Sequence, residues 1–208
     1  MARISSYGKC ELCGSRVGKA AMKGHLAKCL ADHGGQAASP ALLIRVQAAG
    51  DPMYWLDLAV KPEATLKDVD TLLRRIWLEC CGHLSEFYFG AHEQVGMSRK
   101  VDSILGAAGS RVGYVYDFGS STELVVSHGA MVNANLGRRV TLVARNEPPV
   151  WKCVECEAPA INVCTECIYE GEGFLCSTHS EDHECGDDMF LPVVNSPRMG
   201  VCGYTGED

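Results

Sequence analysis

Twelve cysteines in 208 residues limit what this chain can fold into more than any other feature of its sequence. Six of them form Cys-x2-Cys pairs (Cys10 with Cys13, Cys153 with Cys156, Cys164 with Cys167), and Cys176 stands in the same relation to His179. That spacing is too tight for good disulfide geometry and suits chelation by a single metal ion. The segment from Met1 to Cys13 has no apolar run of the kind that directs export, and no stretch approaches the ~18 apolar residues needed to span a bilayer. The expectation is a reduced, cytoplasmic, zinc-loaded protein with no membrane association. With 47% hydrophobic and 22% charged residues, the chain can bury a core and does not read as disordered.

The first module reads Cys10-x2-Cys13-x11-His25-x3-Cys29. Zinc takes four nitrogen or sulfur ligands in a tetrahedron; the Cys-x2-Cys knuckle supplies two, and a His and a Cys four residues apart supply two more from one helix face. This spacing resembles the Cys-Cys-His-His zinc finger with its last His replaced by Cys. Val17 and Met22 fall where that family packs its small core. The resemblance implies a module over residues 1–35 that folds with its ion. Carried over by position, the family's base-contacting sites are Gly18, Ala20, Ala21 and Gly24, and none of these side chains hydrogen-bonds to a base edge. Lys19, Lys23 and Lys28 could touch phosphates without sequence preference.

The last module holds eight donors between Cys153 and Cys185: Cys153, Cys156, Cys164, Cys167, Cys176, His179, His183 and Cys185. The pattern resembles the B-box, a cross-braced double zinc module. The resemblance implies one zinc on Cys153, Cys156, Cys176 and His179, and a second on Cys164, Cys167, His183 and Cys185. A sequential pairing would instead put the first four cysteines on one ion, and Cys202 competes with Cys185 for the final position. Four donors leave no open coordination position, which points to structural and not catalytic metal. Three zinc ions are expected, with Cys80, Cys81 and Cys202 outside the ligand set and Cys80 and Cys81 read as packing residues.

Between these ends, residues 41–148 read as an α+β domain. Residues 42–48 and the alternation of Tyr54, Leu56, Leu58 and Val60 predict two strands around a Gly50-Asp51-Pro52 turn. Thr65 with Asp68 forms a capping-box pair ahead of a helix marked by Leu66, Val69, Leu73, Ile76, Trp77 and Cys80, which Gly82 can end. Strands follow at 87–89, at Tyr114, Tyr116 and Phe118, at 124–126 and at 140–143. This order predicts a mixed, β-grasp-like sheet with one packed helix, Phe118 facing the core, a linker at 34–40 and a boundary near 146–149 before a final module at 149–208. Trp55, Val60-Lys61-Pro62, the helix from Leu66 to Leu78, His83-Leu84-Ser85-Glu86-Phe87 and Val115-Tyr116-Asp117-Phe118-Gly119 resemble the plasmid pRiA4b ORF-3-like family, which implies a fold more than an activity.

The net charge of −7 hides an asymmetry. Residues 1–35 hold six Lys/Arg against two acids, and residues 151–208 hold two against twelve. A basic end could meet nucleic acid weakly and without specificity, while an acidic end would oppose it. The reading that follows is a non-enzymatic, zinc-stabilised adaptor with a protein partner. A nucleic-acid-associated protein using the basic end is the alternative. A second alternative is an enzyme with a site near His83, Glu86 and Asp117, to which His92 and His128 could add; no nucleophile–base pair or nucleotide loop accompanies it.

Overall fold

The structure is a computed structural model that describes residues 6–90 and 93–206. The chain divides into two compact units. One comprises Met1–Leu72 with Leu84–Glu147, and the other Leu73–His83 with Pro148–Asp208.

The first unit is built on strands β1 (Tyr7–Cys10), β2 (Arg16–Gly18), β3 (Ser39–Ala48), β4 (Trp55–Val60), β5 (Ser85–Phe89), β6 (Glu93–Val95), β7 (Arg111–Tyr116), β8 (Thr122–Ala134) and β9 (Val140–Asn146). They form one nine-stranded sheet in the order β2-β1-β9-β4-β3-β8-β7-β5-β6. Every pairing among the described residues of this sheet is antiparallel. The class is therefore α+β, but the sheet is antiparallel where the sequence suggested a mixed one. The reason is local: consecutive strands β3 and β4, and β7 and β8, join through short turns, which antiparallel pairs permit and parallel pairs do not.

Residues 1–35 were expected to stand apart, yet β1 pairs with β9 through Gly8–Asn146 and Cys10–Ala144 and so extends the central sheet. Helix α1 (Lys19–Gly34) packs against β8. Its apolar face of Met22, Leu26, Cys29 and Leu30 shares one buried cluster with Leu43, Trp55, Ala59 and Val143. Val17 joins the edge of that cluster. The expected linker is the end of α1, a short 3-10 turn (Gly35–Ala37) and the start of β3.

Helix α2 (Leu66–Leu73) starts as the sequence predicts. Thr65 N–H donates to Asp68 Oδ2 at 2.8 Å and Asp68 N–H returns to Thr65 Oγ1 at 3.4 Å, a reciprocal capping box. It does not continue as an α-helix to Cys80. From Arg74 to Leu78 the chain forms a π turn, closed by Glu79 N–H to Arg74 O at 2.8 Å, and Glu79 is extended. Cys80 and Cys81 therefore lie beyond the helix, and neither is buried. A short helix α3 (Val101–Leu105), unmarked by any long apolar period, precedes β7.

The expected alternation of Tyr114, Tyr116 and Phe118 holds only to Tyr116. Asp117 takes a left-handed φ of 66°, ending the strand, and Phe118 is 55% exposed instead of facing the core. Asp117 Oδ1 accepts the Gly119 N–H at 2.9 Å, a self-closed Asx turn. No helix among the described residues is long and apolar enough to cross a membrane.

The second unit has a three-stranded sheet, β10 (Asn162–Cys164), β11 (Phe174–Leu175) and β12 (Phe190–Pro192), in the order β11-β10-β12, and a one-turn helix α4 (Ser177–Glu181). Trp151 stacks on Phe174 with ring centroids 4.4 Å apart. Beside this sheet Cys153, Cys176 and Leu175 form one buried apolar cluster, against which Cys156 and Phe190 pack.

Candidate metal centres

The twelve donors expected from the sequence meet in three groups of four, and the donor atoms of each group lie within 4.8 Å of one another. A tetrahedral zinc with Zn–S of about 2.3 Å and Zn–N of about 2.0–2.1 Å requires S···S edges of about 3.8 Å and S···N edges of about 3.5 Å. That requirement tests each group.

In the first, the turn after Cys10 is closed by Gly14 N–H to Cys10 O at 2.8 Å and Cys10 N–H to Ser15 O at 3.0 Å, with Gly14 at φ 74°. Helix α1 brings up His25 and Cys29 one turn apart. Cys10 and Cys29 Sγ are 3.8 Å apart, and Cys13 Sγ and His25 Nε2 are 3.4 Å apart, both close to the zinc edges. The Ser15 hydroxyl and then its N–H hold the Cys13 thiol down at about 6, whereas burial, then hydrogen bonds to Cys13 and Cys10, push Cys29 up to about 12. Thiols this close cannot all ionise without a cation; a divalent ion removes the conflict.

The second and third groups interleave. Cys153, Cys156, Cys176 and His179 form one, and Cys164, Cys167, His183 and Cys185 the other, the cross-braced pairing. The antiparallel register Asn162–Leu175 explains the alternation. Cys176 follows Leu175 at one end of the β10–β11 ladder, and Cys164 closes β10 at the other. In the second group His179 Nδ1 is 3.4 Å from Cys153 Sγ and 3.3 Å from Cys176 Sγ, while Cys156 and Cys176 Sγ are 3.9 Å apart. Against desolvation, backbone N–H groups of Cys176, Glu155 and Cys156 draw Cys153 down to about 6. In the third, Cys167 Sγ lies 3.5 Å from His183 Nε2 and 3.7 Å from Cys185 Sγ, and the Cys185 contact is the main cause that pushes Cys167 up to about 12.

The sequence reading missed a fourth group. Cys80, Cys81, His83 and Cys202 also converge within 4.8 Å. Cys202 stands in this group and not beside Cys185, and Cys80 is half-buried and Cys81 exposed. Cys81 is pushed up to about 11, first by Cys202 and then by Cys80. The signal was present in Cys80-Cys81-Gly82-His83, but its partner is more than a hundred residues away.

Three residues of the alternative enzymatic reading make local contacts. His128 Nδ1 pairs with Leu105 O at 2.8 Å, Asp117 closes its own turn, and His83 sits among thiols. His92 lies outside the described residues. Of the lysines expected at phosphates, Lys19 is bonded to Gln47 Oε1 and, at 2.7 Å, to Pro52 O. Desolvation, then the Arg45 charge, lower it to about 8.

No protein-family model and no curated protein matches the sequence. Among solved structures, a protein of unknown function from Methanosarcina mazei Go1 is similar to half of this chain: 50% of it is covered, against 67% of that chain, at 16% identity and a TM-score of 0.43.

Proposed function

We propose that this chain is a zinc-stabilised, non-enzymatic adaptor of the reduced cytoplasm, in which Cys10, Cys13, His25 and Cys29, and the two interleaved groups between Cys153 and Cys185, each hold a structural zinc. The observation that carries the reading is the match of donor separations to the edges of a zinc tetrahedron in all three groups, with S···S at 3.7–3.9 Å and S···N at 3.3–3.5 Å. Three cysteines and one histidine fill the coordination sphere, so the ion has no vacancy for water or substrate and serves to fix the backbone. In the second unit that fixed backbone presents Tyr169, Ile161 and Val154, 77%, 52% and 43% exposed, amid an acidic surface. Exposed aromatic and aliphatic side chains on a metal-fixed scaffold suit docking of a protein partner whose own surface is basic.

The test uses the purified, reduced full chain as bait in two states, zinc-loaded and stripped by a strong chelator. The reading predicts a partner retained by the loaded form and released on stripping, with zinc measured in the same sample. A bait that contains no zinc, or a partner held equally by both states, contradicts it.

A further inference from the structure

We propose that Cys80, Cys81, His83 and Cys202 form a fourth zinc site, which joins the end of the α2 segment to the C-terminal segment within the second unit. The proposal rests on the same donor chemistry as the three sites above, and its test is arranged to fail separately from theirs.

The sulfur separations meet the same requirement, and the imidazole nitrogen stands closer than its ~3.5 Å edge. Cys81 Sγ lies 3.7 Å from both Cys80 Sγ and Cys202 Sγ, and His83 Nε2 lies 3.0 Å from Cys81 Sγ and 3.2 Å from Cys202 Sγ. The sulfur separations are those of a zinc tetrahedron, whose S···S edge is about 3.8 Å, and far from the ~2.05 Å of a disulfide. The composition repeats as well. The chain has twelve cysteines, the first three groups use nine, and the remaining three meet at one histidine. Incidental surface thiols from positions 80, 81 and 202 have no reason to converge on a single imidazole.

The backbone is shaped for this convergence. The π turn that ends α2 and the positive φ of Gly82, 82°, turn Cys80, Cys81 and His83 toward one point. On the other side Cys202 itself holds a φ of 51°, followed by Gly203 at 68°, in a turn closed by Tyr204 N–H to Val201 O at 3.0 Å. A cysteine in the left-handed region is strained, and such strain persists where something outside the local sequence holds it. The two segments are also tied beside the site. Ser196 Oγ donates to Trp77 O at 2.7 Å, and Tyr204 OH donates to Ile76 O at 3.3 Å.

Charge completes the argument. A zinc with three thiolates carries a net −1, and the fully buried Arg198 directs a guanidinium N–H to Cys80 Sγ at 3.4 Å. A cationic donor to a ligating sulfur is the kind of outer contact that neutralises and orients metal thiolates.

The experiment is native mass spectrometry of the reduced full chain with zinc, beside Cys202→Ser and Cys185→Ser. The expected counts are four ions for the wild type and three for each variant. Three ions in both the wild type and Cys202→Ser would overturn this site and leave the other three standing. Fewer than three in the wild type would overturn both readings. Four ions retained by Cys202→Ser would also overturn it. Because a variant can fail to fold, a second measurement uses the wild type alone, following alkylation at Cys80, Cys81 and Cys202 with and without chelator. Protection of all three until the chelator is added is the expected result. Immediate alkylation, or a disulfide between any two of them in non-reducing peptide mass spectrometry, contradicts the site.

Discussion

The indole of Trp55 lies over Gly8 so closely that a Cβ on residue 8 would stand 2.5 Å from the Trp55 ring and 2.4 Å from Arg145 O. The same indole donates its Nε1–H to Ser6 Oγ at 2.7 Å. Trp55 is a fully buried residue of the interior strand β4, so this contact fixes the first hairpin to the main sheet. Gly8→Ala is therefore expected to destabilise the zinc-loaded protein by about 1–3 kcal/mol, the usual cost of overpacking against atoms that cannot yield. Denaturant unfolding of wild type and variant at saturating zinc checks this; an unchanged midpoint would contradict the contact.

Two candidate ligands of the first centre differ in burial, and their substitutions separate metal binding from packing. Cys13 is exposed, while Cys29 is 6% exposed among Met22, Leu26 and Leu30. Cys13→Ser and Cys29→Ser are each expected to lose one zinc. In the presence of chelator, Cys13→Ser should match the stripped wild type. Cys29→Ser should fall about 1–3 kcal/mol below it, because a hydroxyl replaces a thiol inside an apolar cluster. Equal stabilities of the two stripped variants would show that α1 does not pack as described.

The capping box gives a pH dependence with a definite sign. Burial opposes the charge of Asp68, but the Thr65 N–H and hydroxyl, with Arg139, outweigh it and hold the carboxyl below its ordinary value. A group whose folded pKa is depressed contributes stability above its unfolded value, about 3.9, and loses it as pH falls through the folded value. Asp68→Ala should cost about 1 kcal/mol at neutral pH, and the difference from wild type should shrink below about pH 4. A difference that grows on acidification would reverse the assignment.

Nucleic acid, if bound at all, should be held weakly. With Lys19 engaged at Gln47 and Pro52 O, and Arg16 paired with Glu147 at 2.6 Å, the remaining exposed cations of the first module among the described residues are Lys9, Lys23 and Lys28, and Arg3 lies outside the described residues. With Arg3 counted beside these three, four phosphates at about −0.9 each give a log-affinity slope against log salt no steeper than about −4. Titration of the full chain against unrelated duplexes at two salt concentrations measures it. A steep slope or a preferred sequence would move recognition to another surface. A fragment of residues 1–40 is the wrong probe, since β1 has its partner in β9 and Met22 and Leu26 have theirs in the sheet.

What the sequence made legible was local. The Cys-x2-Cys knuckles, the His25–Cys29 step on one helix face and the Thr65–Asp68 box each depend on residues a few positions apart, and periodicity marked β3, β4, β5 and β9. What it hid was long-range. Nothing near Tyr7 announces a strand whose partner is Asn146, and nothing near Cys80 announces Cys202. The error at Phe118 has the same character: period two predicts an inward side chain, but one left-handed residue, Asp117, ends the alternation. Helix period likewise carried through to Cys80, where the π turn after Leu73 redirects the chain.

The most direct measurement of the central claim is zinc K-edge X-ray absorption on the purified, reduced full chain. All the groups share one composition, three cysteines and one histidine, so the average spectrum is interpretable without separating the sites. The account predicts three sulfurs at about 2.3 Å and one nitrogen at about 2.0–2.1 Å per zinc, with no further light-atom ligand. A first shell rich in oxygen or nitrogen, or a five-coordinate zinc, would contradict closed structural sites.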